Sequence, residues 1–498
     1  MPVYEKLQLT KSHTEVAREK NRRIAFNLLR LRQRLRDHFH HEDAHCDGTE
    51  QDHIRDSARL VRLATWNIRE FDSQKYGKRL EESLYYIAEI IAQFDLVAIQ
   101  EVREDREALL GVMELLGPGW RYISTDVNEG APGNRERMVF IYNGQKVMFS
   151  DVAGEVVLPK DKVDETLLFK QGARLELPGQ EKELTLREAV ETYGWSGGRR
   201  LGQEVRIRLP EQSKLVLPAG STLILPKRTD VAQADDGPAA FPLESDLKDV
   251  FLKLPRKAIR VEELNYARSP YLVTFQAGWL RLTLCTVHIY YGKNELGMRR
   301  RKAEIYRLTK FLADRAQNEH DSDADSFFIV LGDFNIVDRE HETMKALVRH
   351  DFYVPEQLQS LPGTNVKQDR YYDQIAYWRG HDHEERQDRT VTRVEVQRAG
   401  VFDFFETVFR DDEPDTAAAK DIDIYQQRSS SLRKAIVKAK ESKEKRTGEP
   451  LTAEEEQAVA EKVYRDWRTY QMSDHLPMWA ELRIDFGDEY LEKVASWE

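Results

Sequence analysis

Apolar residues recur with two different periods along the chain, and each period predicts one kind of element. Residues 63–68 and 95–100 are short, nearly continuous apolar runs, which indicate buried strands. Residues 80–94 between them carry apolar side chains three and four positions apart, the spacing of one helix face. A strand, a helix and a strand in close succession indicate an α/β body.

The same two patterns continue further along the chain. They predict strands at residues 138–142, 271–275, 280–287 and 327–331, and a helix at residues 297–317. The α/β body therefore draws on both halves of the sequence.

Two segments interrupt this pattern and look like insertions. Residues 160–262 hold short apolar runs broken by Pro and Gly, which indicates a small β-rich domain. Residues 411–466 are polar and rich in Ala, Lys and Glu, which indicates a helical, charged insertion with helices at residues 430–444 and 452–468. Thr452 and Glu455 have the spacing of a capping box at the start of that helix.

A basic amphipathic helix is predicted near the N-terminus. Residues 1–40 carry ten Lys or Arg against four Asp or Glu. Their apolar side chains form a stripe of helical spacing at Ile24, Leu28, Leu31 and Leu35. The stripe favours a helix packed on the body, and it leaves open a homodimer through residues 24–35 or a basic arm on DNA. The polar residues that follow are predicted to be a linker.

Composition and charge exclude some classes of protein. The chain has 498 residues, of which 40% are hydrophobic, so it can form a sizeable core and is not a disordered protein. Its net charge of −11 argues against holding nucleic acid through a bulk positive field. That charge still allows a nucleic-acid enzyme whose cleft is locally basic or holds a metal ion.

Two cysteines, Cys46 and Cys285, are too few for a disulfide framework or a four-cysteine zinc site. The first residues lack the apolar core of a signal peptide. No stretch approaches the roughly 18 apolar residues that a membrane span needs. We therefore expect a cytoplasmic protein without a membrane partner.

Ionisable and amide side chains stand at or near the ends of predicted strands. They are Asn67, Glu101, His288, Asp333, Asn335, Asp373, Asp474 and His475. Taken singly, each fits a turn, a cap or a satisfied structural residue. Together, carboxylates from several strand ends can converge on a hard cation, and two histidines suit phosphodiester hydrolysis. Zinc bound through histidines is the competing idea, but the histidines lack the spacing of an HExxH helix.

Eight short motifs contain these residues and their neighbours. They are Trp66-Asn67-Ile68-Arg69, Gln100-Glu101-Val102-Arg103, Glu136-Arg137, Arg268-Ser269-Pro270, Val287-His288, Gly332-Asp333-Phe334-Asn335, Tyr372-Asp373-Gln374-Ile375 and Ser473-Asp474-His475-Leu476-Pro477. In this order they resemble the motifs of the endonuclease/exonuclease/phosphatase superfamily, and within it most closely those of deoxyribonuclease I. Each motif alone is weak, but eight in the family's order are highly specific for the superfamily.

The resemblance implies a fold and a division into domains. The implied fold is a four-layer α/β sandwich, in which two packed mixed β-sheets are flanked by helices and the active site lies at one edge. The implied catalytic domain comprises residues 61–159, 263–410 and 467–486. Outside it lie the N-terminal helix and linker at 1–60, the insertions at 160–262 and 411–466, and a C-terminal tail at 487–498.

The resemblance also implies which residues bind metal and phosphate. Glu101 would be the main ligand of a catalytic Mg²⁺ or Mn²⁺, with Asn67 and Asp474 close by. Asn335 would hold a phosphate oxygen. Asp333 would orient water or bind a second cation, and relatives differ on whether it is the base.

Two histidine–carboxylate pairs follow from the same resemblance. His288 would be oriented by Glu136, and His475 by Asp373. A carboxylate beside an imidazole selects its tautomer and raises its pKa. One histidine would be the general base toward water and the other the general acid toward the leaving oxygen, with the order left open.

Three arginines narrow the resemblance further. Arg69 and Arg103 stand where deoxyribonuclease I-like nucleases place arginines near DNA, and Arg268 matches an arginine that contacts phosphate. Gln374 departs from the pattern, because the nuclease commonly has an arginine there.

The resemblance therefore implies a metal-dependent DNA endonuclease with DNA as its substrate. The alternative within the superfamily is a phosphatase or phosphodiesterase that acts on a small or lipid phosphoester. The motif at residues 372–375 lacks the Trp-Cys-Asp-Arg form of inositol-polyphosphate phosphatases. A non-catalytic binding protein of the same fold is a third hypothesis, and the intact set of site residues argues against it.

Overall fold

The structure is a computed structural model, and its two units are described separately. It describes residues 14–40, 59–73, 78–127, 135–156, 268–292, 295–321, 326–379, 393–411 and 421–495, with four isolated residues (Pro2, Tyr4, Leu7 and Tyr266) and short strands between 167 and 261. Residues Leu158–Asn265 form one unit, and the rest of the chain forms the other.

Strands and helices are numbered in chain order. The strands are β1 (Leu60–Phe71), β2 (Leu96–Val102), β3 (Trp120–Ser124), β4 (Arg137–Asn143), β5 (Met148–Glu155), β6 (Leu167–Phe169), β7 (Arg174–Glu176), β8 (Leu184–Thr185), β9 (Glu204–Ile207), β10 (Lys214–Leu217), β11 (Thr222–Ile224), β12 (Val231–Gln233), β13 (Ala239–Pro242), β14 (Val250–Lys253), β15 (Ile259–Val261), β16 (Tyr271–Ala277), β17 (Leu280–His288), β18 (Ser326–Asp333), β19 (Phe352–Tyr353), β20 (Asp373–Trp378), β21 (Val396–Val401) and β22 (Met478–Arg483). The helices are α1 (Glu15–His40), α2 (Glu81–Ile91), α3 (Glu107–Leu116), α4 (Glu295–Asp321), α5 (Glu342–Leu347), α6 (Glu356–Gln359), α7 (Asp421–Arg428), α8 (Ser430–Thr447), α9 (Ala453–Gln471) and α10 (Gly487–Ala495).

The larger unit contains two mixed six-stranded sheets. The first has the spatial order β21-β22-β1-β2-β4-β3, and the second has the order β19-β20-β18-β17-β16-β5. Each has one parallel pair, β1 with β2 and β17 with β18, among antiparallel neighbours. The smaller unit contains β6 to β15 in two four-stranded sheets and one two-stranded sheet.

The layers follow from the alternation of side chains along each strand. In β1, Val61 and Leu63 belong to the core between the two sheets, while Ala64 and Trp66 point to the opposite face and pack under α1, α2 and α9. On the far side of the second sheet, Leu308 and neighbouring residues of α4 pack against the outer face of that sheet. The result is helices, sheet, sheet, helices, which confirms the predicted four-layer sandwich.

The basic helix near the N-terminus packs on this body. Its predicted stripe, with Leu31 as an example, is at most 4% exposed and lies against the outer face of the first sheet. Asn27 donates a hydrogen bond to the hydroxyl of Tyr86, and Arg23 pairs with Glu82 at 2.6 Å, so α1 is joined to α2 by polar contacts too. The stripe is therefore buried within the chain, as the packed-helix interpretation predicted, and the homodimer through residues 24–35 stays a prediction.

The charged segment near the C-terminus is helical and also packs on the first sheet. α8 and α9 form where helices were predicted, and the capping box of Thr452 and Glu455 is present. Tyr464 and Trp467 of α9 are buried beside Tyr425 of α7, a short helix that the pattern did not predict. The predicted tail contains a further helix, α10. Among the helices described, none is long and apolar enough to cross a membrane.

Candidate active site

The two parallel strand pairs bring polar residues to one edge of the sandwich. In the second sheet, His288 of β17 lies beside Asp333 of β18, which in turn lies beside Asp373 of β20. In the first sheet, Asn67 and Glu101 lie near the ends of the parallel pair β1 and β2. These two groups meet between the sheets, as the contacts of Asn67 show.

The side chain of Asn67 joins the two sheets at the site. Its Nδ2 donates to Oε1 of Glu101 at 3.2 Å and to Oδ2 of Asp333 at 3.0 Å. Its Oδ1 is buried and has no hydrogen-bond partner among the described residues. Two carboxylates therefore face one amide, and an orphaned oxygen lies beside them.

Glu101 reaches this position through an unusual backbone conformation. Its φ is 65°, in the left-handed region that disfavours residues other than Gly, and the pairing of β2 with β4 shifts register between Ile99 and Val102. Its Oε2 accepts a hydrogen bond from the backbone N–H of Glu70 at 2.8 Å. Such strain persists where the surrounding structure imposes it, and it is common at functional sites.

His288 forms a buried pair with Glu136. Nδ1 of His288 lies 2.8 Å from Oε2 of Glu136, which also accepts from Nε of Arg268 at 2.6 Å. Burial alone would raise the pKa of Glu136, but His288 and Arg268 lower it below its ordinary value. Glu136 is therefore a carboxylate, and Nδ1 of His288 donates to it, which leaves Nε2 directed at the cluster.

His475 forms the matching pair with Asp373. Nδ1 of His475 lies 2.7 Å from Oδ2 of Asp373, and both side chains are buried. Burial lowers the pKa of His475, but Asp373 and Asp333 outweigh it and raise that pKa well above its ordinary value. The loop that carries His475 is held by Ser473, whose Oγ accepts from the backbone N–H of His475 at 3.0 Å, and by Trp66, whose Nε1 donates to the carbonyl of His475 at 2.9 Å.

Asp333 lies between the two pairs. Its Oδ2 is 3.5 Å from Nε2 of His288 and 3.8 Å from Nε2 of His475. Asp333, Asp373 and His475 each offer a ligand atom within 4.8 Å of the others. Oδ2 of Asp373 is bound to Nδ1 of His475, whereas Asp333 and Glu101 each accept from Nδ2 of Asn67. Burial, followed by the charge of Glu136, raises the pKa of Glu101, as expected of crowded carboxylates without a cation.

The three predicted phosphate-binding arginines are all engaged by carboxylates. Arg268 is 8% exposed and bound to Glu136. Arg103 pairs with Glu70 at 2.8 Å and lies 3.6 Å from Glu136. Arg268 therefore contacts Glu136 on the Nδ1 side of His288, and not the Nε2 side that faces the cluster.

Arg69 is held by α9, a helix that begins in the insertion at 411–466 and ends inside the implied catalytic domain. Its guanidinium pairs with Asp466 of α9 at 3.2 Å and lies over the ring of Tyr470, 3.7 Å from the centroid. Its Nε is 3.6 Å from Asp474, whose side chain is 44% exposed. The structure thus places Arg69 and Asp474 at the rim of the cluster.

Asn335 lies beside the cluster in a left-handed conformation, with φ of 53°. Its backbone N–H donates to Oδ1 of Asp333 at 2.8 Å, and its Nδ2 donates to the carbonyl of Ile289 at 2.8 Å. An amide nitrogen carries two hydrogens, so one N–H of Asn335 remains for a ligand.

Sequence reasoning missed one residue that builds this edge. Arg301 of α4 is 1% exposed and donates to the carbonyls of Tyr290, Gly292 and Asn335. In the sequence it reads as an ordinary charge on an amphipathic helix. No local pattern indicates that its side chain is buried, because the carbonyls that it binds come from two loops, one directly before α4 and one after β18.

Comparison with known proteins gives likenesses of fold only. No protein-family model and no curated protein matches the chain. Among solved structures, a humanised TDP2 of D. rerio is 9% identical, with 85% of this chain and 99% of that chain covered and a TM-score of 0.38. The mannosyl-6-phosphatase of Bacteroides thetaiotaomicron is 13% identical, with 85% and 99% covered and a TM-score of 0.36. The human Nocturnin catalytic domain is 12% identical, with 85% and 94% covered and a TM-score of 0.34.

At these identities and TM-scores the likenesses decide no substrate and no residue's role. The roles have to come from the side chains themselves. The two mixed sheets, the flanking helices and the polar cluster at their common edge agree with the four-layer fold that the motif resemblance implied.

Proposed function

We propose that this chain is a metal-dependent phosphodiester hydrolase and that its substrate is DNA, which it cleaves internally as a deoxyribonuclease I-like endonuclease does. One observation carries the proposal. Two histidines, each bound through Nδ1 to a buried carboxylate, direct their Nε2 atoms at the same oxygen of Asp333 from 3.5 and 3.8 Å. An arrangement of this kind suits two proton transfers on either side of one reacting group.

The donor set fits a hard divalent cation. Glu101 and Asp333 offer carboxylate oxygens, and Oδ1 of Asn67 is buried without a partner among the described residues. Oxygen donors of this type favour Mg²⁺ or Mn²⁺ over zinc. We propose that Glu101 and Asn67 hold the cation, with Asp474 nearby at the rim. The bound cation would neutralise charge on the phosphate.

The two histidines would divide the proton transfers between them. A new P–O bond forms with a water oxygen, and the water proton passes to Nε2 of one histidine. The bond from phosphorus to the leaving oxygen breaks, and that oxygen takes a proton from Nε2 of the other histidine. Because Glu136 and Asp373 occupy the Nδ1 atoms, each ring is held in one tautomer with Nε2 toward the substrate.

Phosphate groups would be bound at the rim of the same cluster. The remaining N–H of Asn335 would donate to a phosphate oxygen, and Arg69 and Arg103 lie close enough to pair with phosphates if their carboxylate partners gave way. An arginine fork matches phosphate better than a lysine does. The alternative remains a phosphatase or phosphodiesterase that acts on a small or lipid phosphoester.

The test uses the purified full-length chain with supercoiled plasmid, linear DNA, RNA and bis(p-nitrophenyl) phosphate, each with Mg²⁺, Mn²⁺ or EDTA. We expect nicking of plasmid only with metal. His475→Asn should lower the rate about 10²–10⁴-fold if His475 transfers a proton. Glu101→Gln should abolish metal-dependent activity, whereas Glu342→Gln, which removes an exposed glutamate of α5, should not. Hydrolysis of the small diester without cleavage of any nucleic acid would favour the alternative.

A further inference from the structure

An exposed aromatic ring lies at the rim of the cluster, and none of the roles proposed above uses it. Tyr291 follows β17 closely and is 44% exposed. Its ring meets that of Tyr372 in a T-shaped contact, with centroids 6.4 Å apart at 79°. Tyr372 in turn packs on His475, with centroids 5.4 Å apart. The exposed ring is therefore two aromatic contacts away from one of the two histidines proposed to transfer protons.

The backbone on both sides of Tyr291 is held by a buried charge. Nε of Arg301 donates to the carbonyl of Tyr290 at 3.2 Å, and one of its terminal nitrogens donates to the carbonyl of Gly292 at 3.2 Å. Burying an arginine costs free energy unless its donors are satisfied, and the carbonyls of the loop satisfy them here. The same hydrogen bonds hold the backbone of the loop in place. The guanidinium also lies 5.0 Å from the centre of the Tyr291 ring.

Close packing constrains the loop as well. A Cβ at Gly292 would lie 2.3 Å from the Cα of Gly297 in α4, so glycine is required where the loop approaches that helix. The ring of Tyr291 is thus exposed and held in place, which is the condition for a stacking surface with a low entropy cost.

An exposed cation belongs to the chain segment that carries Tyr372. Arg370 stands two residues before Tyr372 in the chain. Asn365 accepts from the backbone N–H of Arg370 at 2.8 Å and also bridges to His475, which ties this loop to the site. A planar surface beside a positive charge matches a base with its phosphate, and a phosphoester without a planar group would leave the surface unused.

We propose that Tyr291 is a specificity-determining residue that stacks an unpaired base of the nucleotide next to the scissile phosphate, with Arg370 at the adjoining phosphate. The inference rests on the proposed function and specifies its substrate as DNA with a base out of the helical stack. Bases in a duplex are already stacked on each other, so the surface favours single-stranded or frayed DNA.

The test combines a protein change with a substrate change. Single-stranded oligonucleotides are compared with versions in which the nucleotide on either side of the cleavage site lacks its base. Tyr291→Ala should raise KM about 5- to 100-fold on the normal strand, the range expected for one lost base–aromatic stack, with little change in kcat. On the abasic strand that loses the stacking partner, wild type and variant should be alike. Tyr291→Trp should keep the low KM.

A matched control and a spectroscopic readout separate stacking from a structural effect. Tyr490 of α10 is 46% exposed and packs on Trp279, so Tyr490→Ala removes a similar ring elsewhere and should leave KM unchanged. A fluorescent adenine analogue beside the cleavage site should be quenched on binding to wild type and not to Tyr291→Ala.

The outcomes distinguish the two proposals. Equal losses on normal and abasic strands, or unchanged quenching, would overturn the role of Tyr291 while leaving the endonuclease intact. Hydrolysis of bis(p-nitrophenyl) phosphate without cleavage of any oligonucleotide would overturn both the DNA substrate and the base subsite.

Discussion

At the scale of single residues, the proposed site depends on side chains that touch no substrate. Ser473 is fully buried, and its Oγ donates to the carbonyl of Asn67 while it accepts from the backbone N–H groups of His475 and Arg69. This one hydroxyl therefore connects the proposed metal-binding strand, one of the two proposed acid–base histidines and the rim arginine.

Ser473→Ala should lower kcat and leave KM nearly unchanged. The loss of a buried hydrogen-bonding group is worth about 1–2 kcal/mol, which corresponds to about a tenfold lower kcat if the loop shifts in the transition state. Steady-state kinetics on the plasmid or the small diester would show it. Ser360→Ala, at an exposed serine whose Oγ donates to the carbonyl of Gln357, is the control and should have no effect.

The same scale shows how far sequence reasoning could go. The motifs named the residues of the cluster, because chemistry at strand ends leaves a local signature. The motifs did not indicate that Arg268 would form an ion pair with Glu136, nor that Arg69 would form one with Asp466 of α9. An ion pair depends on which segments meet in space, and Arg69 and Asp466 are far apart in the chain.

At the scale of elements, the apolar stripe of α1 is compatible with burial by the same chain or by a second copy of it. Its apolar stripe predicted burial correctly, but spacing alone does not say whether the covering surface belongs to the same chain. The structure shows that the chain's own first sheet and α2 cover it.

Leu31→Ala should destabilise the protein, whereas Leu29→Ala should not. Leu31 is 0% exposed and Leu29 is 65% exposed on the same helix, so the two substitutions differ only in burial. Removing a buried leucine side chain costs about 2–5 kcal/mol. Thermal unfolding of the two variants side by side would check this, and similar melting temperatures would contradict the packing of α1.

The end of α1 introduces a dependence of stability on pH. Nε2 of His38 accepts a hydrogen bond from Nε1 of Trp479 at 3.0 Å. Burial, followed by Arg34 and Arg62, lowers the pKa of His38 from 6.5 to about 4. Between these values the unfolded chain binds a proton that the folded chain refuses, so stability is present above pH 6.5 and is lost as the pH falls toward 4.

His38→Gln should make the melting temperature less dependent on pH over that window. Glutamine can still accept from Trp479 through its amide oxygen, and it does not titrate. Melting curves of wild type and variant between pH 7.5 and pH 4 would be compared, on the expectation that the two proteins melt alike at pH 7.5 and that wild type melts lower toward the acid end, because only wild type loses this contribution. An identical acid loss in both would remove His38 as its source.

At the scale of the whole molecule, the unit Leu158–Asn265 leaves the larger unit and returns to it through neighbouring strands. Glu155 of β5 pairs with Tyr271 of β16, and the backbone N–H of Val156 donates to the carbonyl of Pro270 at 2.7 Å. The two points at which the larger unit is interrupted are therefore adjacent.

Replacing residues 158–265 with a short Gly/Ser linker should leave a folded hydrolase. A connection of about 2–5 residues joins adjacent antiparallel strands, and neither sheet of the larger unit takes a strand from the excised segment. The shortened chain should melt cooperatively and hydrolyse bis(p-nitrophenyl) phosphate with metal. An unfolded or inactive product would show that the larger unit depends on the smaller one.

The architecture could be predicted where local pattern and topology agree. The strand predicted at residues 280–287 is Leu280–His288, and the helix predicted at 297–317 is Glu295–Asp321. Short α7 was missed because its eight residues span barely two turns, too few to establish a period. The loop of Tyr291 was missed because its shape depends on Arg301, a residue of the following helix.

The left-handed backbone at Glu101 affects which residue selection favours at this position. Glycine adopts that conformation freely, and a buried acid among other acids opposes folding, so heat resistance alone would disfavour glutamate at this position. A library screened only for survival at high temperature should drift toward glycine at position 101. A library screened for turnover should retain the acid. The residue at position 101 therefore distinguishes selection for stability from selection for activity.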